Sequence, residues 1–302
     1  MAQAEWIAVD WGTSNLRVWV FGSGETVLAQ LASNKGMGAL ARVDFETELL
    51  RLIDPYLEQG TTPVICCGMV GAKQGWAEAA YAEAPCAPPN AETALKVASV
   101  DPRIDVRILP GVSQSKPADV MRGEETQIAG YLVENPKFFG TSCLPGTHTK
   151  WAQISAAEIV SFRTYMTGEL FALLGTQSVL RHGVKTDGWD EVAFLDAVND
   201  AISSPQQLAS RLFGLRAEGL VGGMSAETAR SRLSGYLIGL ELAGAKPFWL
   251  GQDLVLIGDP KLNALYSRAL EAQGVMCRSV SGDDMTLAGL KAAHLVLKKD
   301  QA

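Results

Sequence analysis

Short apolar runs alternate with polar, glycine-bearing segments along the whole chain. Residues 6–22, WIAVDWGTSNLRVWVFG, contain two such runs joined by Gly-Thr-Ser-Asn, which predicts strand, tight turn, strand. A third strand is expected over 25–33. From Asp44, placed to cap a helix, Phe45, Leu49, Leu50, Leu52, Ile53 and Leu57 recur at helical spacing and predict a helix over 44–58. Residues 63–70 read as a buried strand and 71–92, rich in Ala, Gly and Pro, as a long loop, a feature compact domains keep mainly for function. A strand over 106–109 and a helix over 120–133, stopped by Asn135-Pro136, complete a first half.

The pattern then restarts. A strand over 141–144, a Pro-Gly-Thr-His-Thr-Lys turn and strands over 151–154 and 159–165 repeat the opening order once, a coarse duplication with one copy per half. Helices are expected over 167–180, 189–202, 205–213, 225–243, 260–272 and 283–297, with strands over 253–257 and 275–280. Alternating strands and helices imply an α/β protein whose mostly parallel sheets are covered on both faces. A chain of 302 residues suits two lobes, which we divide as 1–137 and 138–302.

Charge narrows the partners. With 26 Lys and Arg against 33 Asp and Glu, the net charge of −7 gives no general attraction to nucleic acid or to an anionic membrane, and a small molecule becomes the expected partner. The five cysteines include no CxxC pair, and their odd number fits a reducing compartment. Cys66 and Cys67, inside an apolar run, are expected to pack as small core hydrophobes. The first residues lack the basic and apolar regions of a signal peptide, and no apolar stretch reaches the roughly 18 residues of a membrane span, so a cytoplasmic protein is expected. No Gly-Lys dipeptide occurs, which removes the P-loop; no GxGxxG follows the first strand, no GxSxG occurs, and the three histidines are too scattered for an HExxH site.

Two turns carry the candidate chemistry. Asp10 closes the first strand and is followed by Gly12, Thr13, Ser14 and Arg17. A glycine there lets backbone amides approach an anion, the hydroxyls add donors, and a strand-end carboxylate suits a hydrated divalent metal. The second turn places Gly146, Thr147 and Thr149 after a strand in the same way; His148 and Lys150 within it are expected to be structural or solvated. Two such turns are suited to grip opposite sides of one phosphate chain.

The segments Asp-Trp-Gly-Thr-Ser-Asn-Leu-Arg, Pro-Gly-Thr-His-Thr-Lys-Trp and Leu256-Ile257-Gly258-Asp259-Pro260 resemble, in order and spacing, the phosphate-1, phosphate-2 and adenosine motifs of the superfamily of acetate kinase, sugar kinases, heat-shock ATPases and actin. Within it, Met121-Arg122-Gly123-Glu124-Glu125-Thr126-Gln127 and the GTHTKW turn are most similar to the 2-dehydro-3-deoxygalactonokinase family. The resemblance covers nearly the whole chain. It implies a two-lobed actin-like ATPase (ribonuclease H-like) fold with a nucleotide cleft between lobes, ATP and Mg2+ as cofactors, and transfer of phosphate to the terminal 6-hydroxyl of 2-dehydro-3-deoxy-D-galactonate in galactonate catabolism. It also implies Asp10 as metal ligand, and Gly223 and Gly258 as flat backbone beside adenine. Leu144 stands where the superfamily often has aspartate, so one metal or water contact common elsewhere is missing.

Transfer to an alcohol needs a carboxylate to orient the hydroxyl and accept its proton. By resemblance to acidic helix starts in phosphate-hydrolysing relatives, Glu124 is the first candidate, for that role or for a water-mediated metal contact; Glu125 is second and Asp119 third. The bland alternative is charge matching at a helix N-terminus. Lys35 and Gly36, with Lys73, Gln74 and Trp76, lie in polar glycine-rich segments suited to the sugar acid; Lys35, Lys73 or Arg17 is able to meet its carboxylate, and Trp76 to wall its pocket or anchor the loop. An exopolyphosphatase-like phosphohydrolase and a non-catalytic actin-like nucleotide-binding protein are the rival readings. A homodimer is compatible with all three.

Overall fold

The computed structural model describes residues 3–300, with side chains through residue 298. The chain divides into two compact units: residues through Phe138, with Ser155–Ser161 and the segment from Gly282 onward, form unit 1; Phe139–Ile154 and Phe162–Ser281 form unit 2. This differs from a single cut at 137/138, because the end of the chain returns to the first unit.

Unit 1 contains β1 (Trp6–Trp11), β2 (Leu16–Phe21), β3 (Val27–Ser33), α1 (Phe45–Ile53), β4 (Thr62–Gly68), β5 (Tyr81–Glu83), β6 (Leu95–Lys96), β7 (Ile104–Ile108), β8 (Gly111–Ser115), β9 (Ala118–Met121) and α2 (Glu124–Glu134). Its main sheet runs β3-β2-β1-β4-β7-β6, with β1 antiparallel to β2 and parallel to β4, and β4 parallel to β7. The side-chain period of two sorts β1 between two layers. Ile7, Val9 and Trp11 pack with Phe45, Leu49 and Ile53 of α1; Trp6 and Ala8 pack on the opposite face with Trp19, Phe21, Ile65 and Cys67. Asp10 shares the parity of that second face.

Unit 2 repeats the plan with β10 (Gly140–Leu144), β11 (Thr149–Ser155), β12 (Glu158–Tyr165), α3 (Thr167–Thr176), α4 (Glu191–Ser203), α5 (Leu208–Val221), α6 (Ala226–Gly244), α7 (Lys246–Trp249), β13 (Leu254–Gly258), α8 (Pro260–Glu271) and β14 (Arg278–Ser281). The order β12-β11-β10-β13-β14 matches β3-β2-β1-β4-β7, with the same antiparallel and parallel pairings around the central strand, so the duplication seen in the sequence is a duplication of topology. The last helix, α9 (Gly282–Asp300), covers unit 1 through Leu290, Ala293 and Leu297. It approaches α2 closely: a Cβ on Gly130 would lie 2.0 Å from Met285 O, and one on Gly289 2.1 Å from Thr126 O.

Several boundaries differ from expectation. The helix expected over 44–58 ends at Ile53, where Asp54-Pro55 opens a 3-10 turn, and Asp44 receives the Ala41 amide rather than capping α1. The helix expected over 120–133 begins at Glu124, because residues 118–121 pair with β8 and Gly123 adopts φ 106, outside helical space. The loop over 71–92 contains β5, parallel to β8, and the helix expected over 205–213 extends to Val221.

Candidate functional site

Asp10 and Arg17 are direct cross-strand partners in the β1–β2 ladder, and Asp10 is level with Cys67 across the parallel β1–β4 ladder. Arg17 Nε donates to Asp10 Oδ2 at 3.1 Å; its Nη2 also meets Oδ2, and its Nη1 meets Asp283 Oδ1 at the start of α9. Burial works against the Arg17 cation, but Asp10 and then Asp283 outweigh it and hold the charge above the ordinary arginine range. Asp10 Oδ1 remains beside the Cys67 thiol at 3.8 Å, a weak donor. Burial, then the charges of Asp10 and Glu125, push the Cys67 thiol well up, so it stays protonated and unreactive, as expected of a core cysteine; Cys66 is likewise buried.

The turn after Asp10 is closed by Gly12 N–H to Asn15 O at 2.9 Å and leaves Thr13 and Ser14 exposed. Residues 36–38 lie against it: Gly36 N donates to Ser14 O, Met37 N to Gly12 O and Gly38 N to Thr13 O. A Cβ on Gly36 would sit 2.4 Å from the Ser14 backbone, so Gly36 serves the turn by close approach. Lys35 is paired with the buried Glu48 at 3.3 Å. Arg42 holds the next loop through Lys73 O and Gly75 O, leaving the Lys73 and Gln74 side chains exposed. Trp76 is 7% exposed, packed with Trp11 and Phe45; of the two roles open to it, the structure gives the loop anchor.

The Arg122–Glu125 segment stands over the end of β4: a Cβ on Gly123 would be 3.4 Å from Gly68 Cα. Glu125 is 1% exposed and accepts from the Gly123 amide at 2.8 Å and from Thr126 Oγ1 at 3.2 Å. Burial, reinforced by Glu124, pushes its carboxyl up to about 7. It is therefore no solvated helix-dipole charge. Glu124 is half-buried and accepts the Arg122 amide at 3.0 Å, while Asp119 lies on β9 and takes the Val120 amide at 2.8 Å.

In unit 2 the turn between β10 and β11 exposes Thr147 and His148, and His148 meets Glu169 at 2.6 Å. Thr149 and Lys150 are buried: Thr149 Oγ1, expected to face phosphate, is occupied with Tyr266 OH at 3.0 Å, and Lys150, 5% exposed, takes the structural rather than the solvated of its two expected roles. The β-strand begins two residues earlier than its apolar run, at Thr149, so both side chains enter the sheet. Gly168 supports the turn; a Cβ there would be 2.4 Å from Gly146 O. Gly258 approaches Pro145 O, 3.2 Å from an added Cβ, and the next residue, Asp259, caps α8.

A cavity of about 280 Å³ adjoins this turn, lined by Gly146, Gly168, Phe171, Trp189, Leu265 and Tyr266 among others. Gly258 and Gly223 are not among its lining residues. Gly223 instead ends α5 with φ +69, exposed, which accounts for glycine there by backbone conformation alone. Phe171 lies on α3, Tyr266 on α8 and Trp189 in the segment before α4, so no local motif announced them. Asp283 was hidden for the same reason: its partner Arg17 is 266 residues away.

Among the described residues, no group of three or more His, Cys, Asp or Glu is arranged to hold a metal, and no helix is long and apolar enough to cross a membrane. Residues 10–293 match the family model described as 2-keto-3-deoxy-galactonokinase. The chain is 42% identical to the probable 2-dehydro-3-deoxygalactonokinase of Rhizobium meliloti (strain 1021), covering 95% of each chain, and 34% identical to the 2-dehydro-3-deoxygalactonokinase of Escherichia coli (strain K12), covering 97% and 99%. A Sinorhizobium meliloti crystal structure assigned to the same activity superposes with a TM-score of 0.91 at 40% identity, covering 97% of this chain and 99% of that one. The architecture is of the actin-like ATPase and sugar-kinase class. The chain belongs to the 2-keto-3-deoxy-galactonokinase family.

Proposed function

We propose that this chain is an ATP-dependent 2-dehydro-3-deoxygalactonokinase that phosphorylates the terminal 6-hydroxyl of 2-dehydro-3-deoxy-D-galactonate. Family membership over nearly the whole chain supports the reading. The observation that carries its chemistry is a strand-end carboxylate, Asp10, beside a turn whose Thr13 and Ser14 are exposed. In this reading the Gly12–Ser14 turn of unit 1 is suited to donate to phosphate oxygens; within unit 2, taken by itself, the Gly146–Thr147 turn is suited to the same role and the adjoining cavity walled by Phe171 and Trp189 to an adenine ring.

Magnesium commonly keeps several waters and needs one or two carboxylates in addition to the phosphates it accompanies. Asp10 fits that requirement, since Arg17 occupies Oδ2 while, among the described residues, Oδ1 is met by a thiol at 3.8 Å. Bound magnesium screens the phosphate charge as the phosphoryl group moves. Asp10 would hold it, and Arg17 fixes the Asp10 rotamer. Glu124, less enclosed than Glu125, orients the acceptor hydroxyl and takes its proton; Glu125 holds the Gly123 amide and so fixes the turn that presents Glu124.

The test is a coupled ADP-release assay with 2-dehydro-3-deoxygalactonate, its gluconate epimer, or no acceptor. Release that depends on the galactonate acceptor is expected. Release without an acceptor would make the chain a phosphohydrolase, and binding without turnover would make it a nucleotide-binding module.

A further inference from the structure

Unit 2 holds a second hollow that the nucleotide reading does not use. Its volume is about 760 Å³, larger than the cavity beside the Gly146 turn, and the two share Phe171, Asp187 and Arg230 as walls. Arg181, His182, Lys185 and Arg230 line it, and of its lining residues only Asp187 is acidic. A chain with 33 acidic against 26 basic residues has carboxylates to spare for its cations. Elsewhere in unit 2 they are used: Arg211 pairs with Asp200, Arg232 with Glu218, Arg268 with Glu191 and Arg278 with Asp253. Among the described residues no carboxylate pairs with Arg181, Lys185 or Arg230, although Asp187 lies on the same lining.

Two of these cations are nonetheless held in place. Arg181 Nη1 donates to Gln177 O at 3.2 Å and to Ser178 O at 3.1 Å, just beyond α3, and the Arg230 guanidinium lies 5.1 Å from the Phe171 ring centroid. Cations that converge on a concavity without being neutralised concentrate anions there, because its low-dielectric walls focus their field. A phosphate group suits such a ring of donors better than a carboxylate does. It offers three acceptor oxygens and up to two charges to cations spread around a hollow, where a carboxylate offers two oxygens and one charge.

We infer that this hollow binds a small phosphate-bearing anion, and that its occupancy opposes that of the nucleotide because Phe171 and Arg230 wall both sites. The competition rests on the kinase reading above; the anion site itself does not.

The experiment titrates the full chain, by calorimetry, with glucose 6-phosphate, inorganic phosphate and glucose. A dissociation constant of about 1 mM or tighter is expected for at least one of the phosphates, with no binding of glucose. Tighter binding of glucose 6-phosphate identifies a sugar phosphate as the ligand class, and equal binding identifies free phosphate. The double variant Arg181→Gln, Lys185→Gln should bind phosphate about fivefold or more weakly, and a fluorescent ADP analogue within about twofold of the unaltered chain. In the unaltered chain, the anion at ten times its dissociation constant should weaken the analogue about tenfold, the mark of ligands that exclude one another. Absence of phosphate binding, phosphate binding that survives the double substitution, or glucose bound as tightly as its phosphate overturns the site. An unchanged analogue affinity with the anion bound overturns the competition. Should the double variant fail to fold, the exposed Lys185 decides: a loss of about threefold or more in Lys185→Gln supports the site, and an unchanged affinity overturns it. If the unaltered chain binds no ADP analogue, the nucleotide reading falls by itself, and the calorimetry still decides whether the hollow takes phosphate.

Discussion

Trp151 Nε1 donates a 2.7 Å hydrogen bond to Glu241 Oε1, tying the strand that follows the Gly146 turn to the last turn of α6. Glu241 also accepts from Tyr266 OH at 2.8 Å and from Thr167 Oγ1, and it is 1% exposed. Thr167 and Tyr266 both line the cavity beside the turn. One buried carboxylate therefore fixes the turn's exit strand and two walls of the neighbouring cavity together.

Removing that carboxylate should loosen both. Glu241→Ala leaves three buried donors unpaired and is expected to destabilise the chain by about 3 kcal/mol or more, with Glu241→Gln costing less because its amide oxygen still accepts. Urea unfolding measures the first effect. A KM for ATP raised more in Glu241→Gln than kcat is lowered would show the second; a variant with unaltered ATP affinity would contradict it.

Glu241 and Glu125 also set a pH dependence. Burial pushes both carboxyls from an ordinary 4.5 up to about 7, against the hydrogen bonds each accepts. Between these values the native state binds protons that the unfolded chain has released, so their contribution is full below about pH 4.5 and lost as pH rises through about 7. The stability of Glu241→Gln relative to the unaltered chain should thus improve from pH 5 to pH 8, by at most about 3 kcal/mol. Urea midpoints at the two pH values check the sign; no change would mean that Glu241 titrates in its ordinary range.

Asp10→Asn keeps shape while removing the charge that Arg17 answers. Turnover should fall by roughly 10²-fold or more with the circular dichroism spectrum retained, since the charge proposed to hold the metal is lost and little volume changes. Near-normal kcat would sink the role given to Asp10.

Gly36→Ala tests the support of the first turn. The new methyl would lie 2.4 Å from the Ser14 backbone, so the turn must shift. An increase in KM for ATP and a stability loss of about 1–3 kcal/mol are expected, against near-neutral effects for Gly223→Ala on ATP affinity, because Gly223 has nothing within 4 Å.

Where elements were misplaced, nonlocal pairing overrode local pattern. Residues 118–121 join β8 rather than the helix that follows, a choice settled by hydrogen bonds from Val112–Ser115. Thr149 read as a ligand hydroxyl, yet its place in β11 turns it toward Tyr266, 117 residues on. Trp76 sits in a polar loop and still packs on Trp11 and Phe45, which no spacing within that loop could indicate.

By itself the sequence determined the duplicated strand, glycine turn, strand order, the buried Cys66–Cys67 run and the position of Asp10 at a strand end, because these depend on periodicities of a few residues and on turn chemistry. The tertiary structure alone decided which polar groups are satisfied: that Arg17 closes on Asp10 and Asp283, that Glu241 gathers donors from three elements, and that Arg122 keeps two buried donors unpaired. Such pairings follow from burial and from contacts across tens to hundreds of residues, where local pattern carries no information.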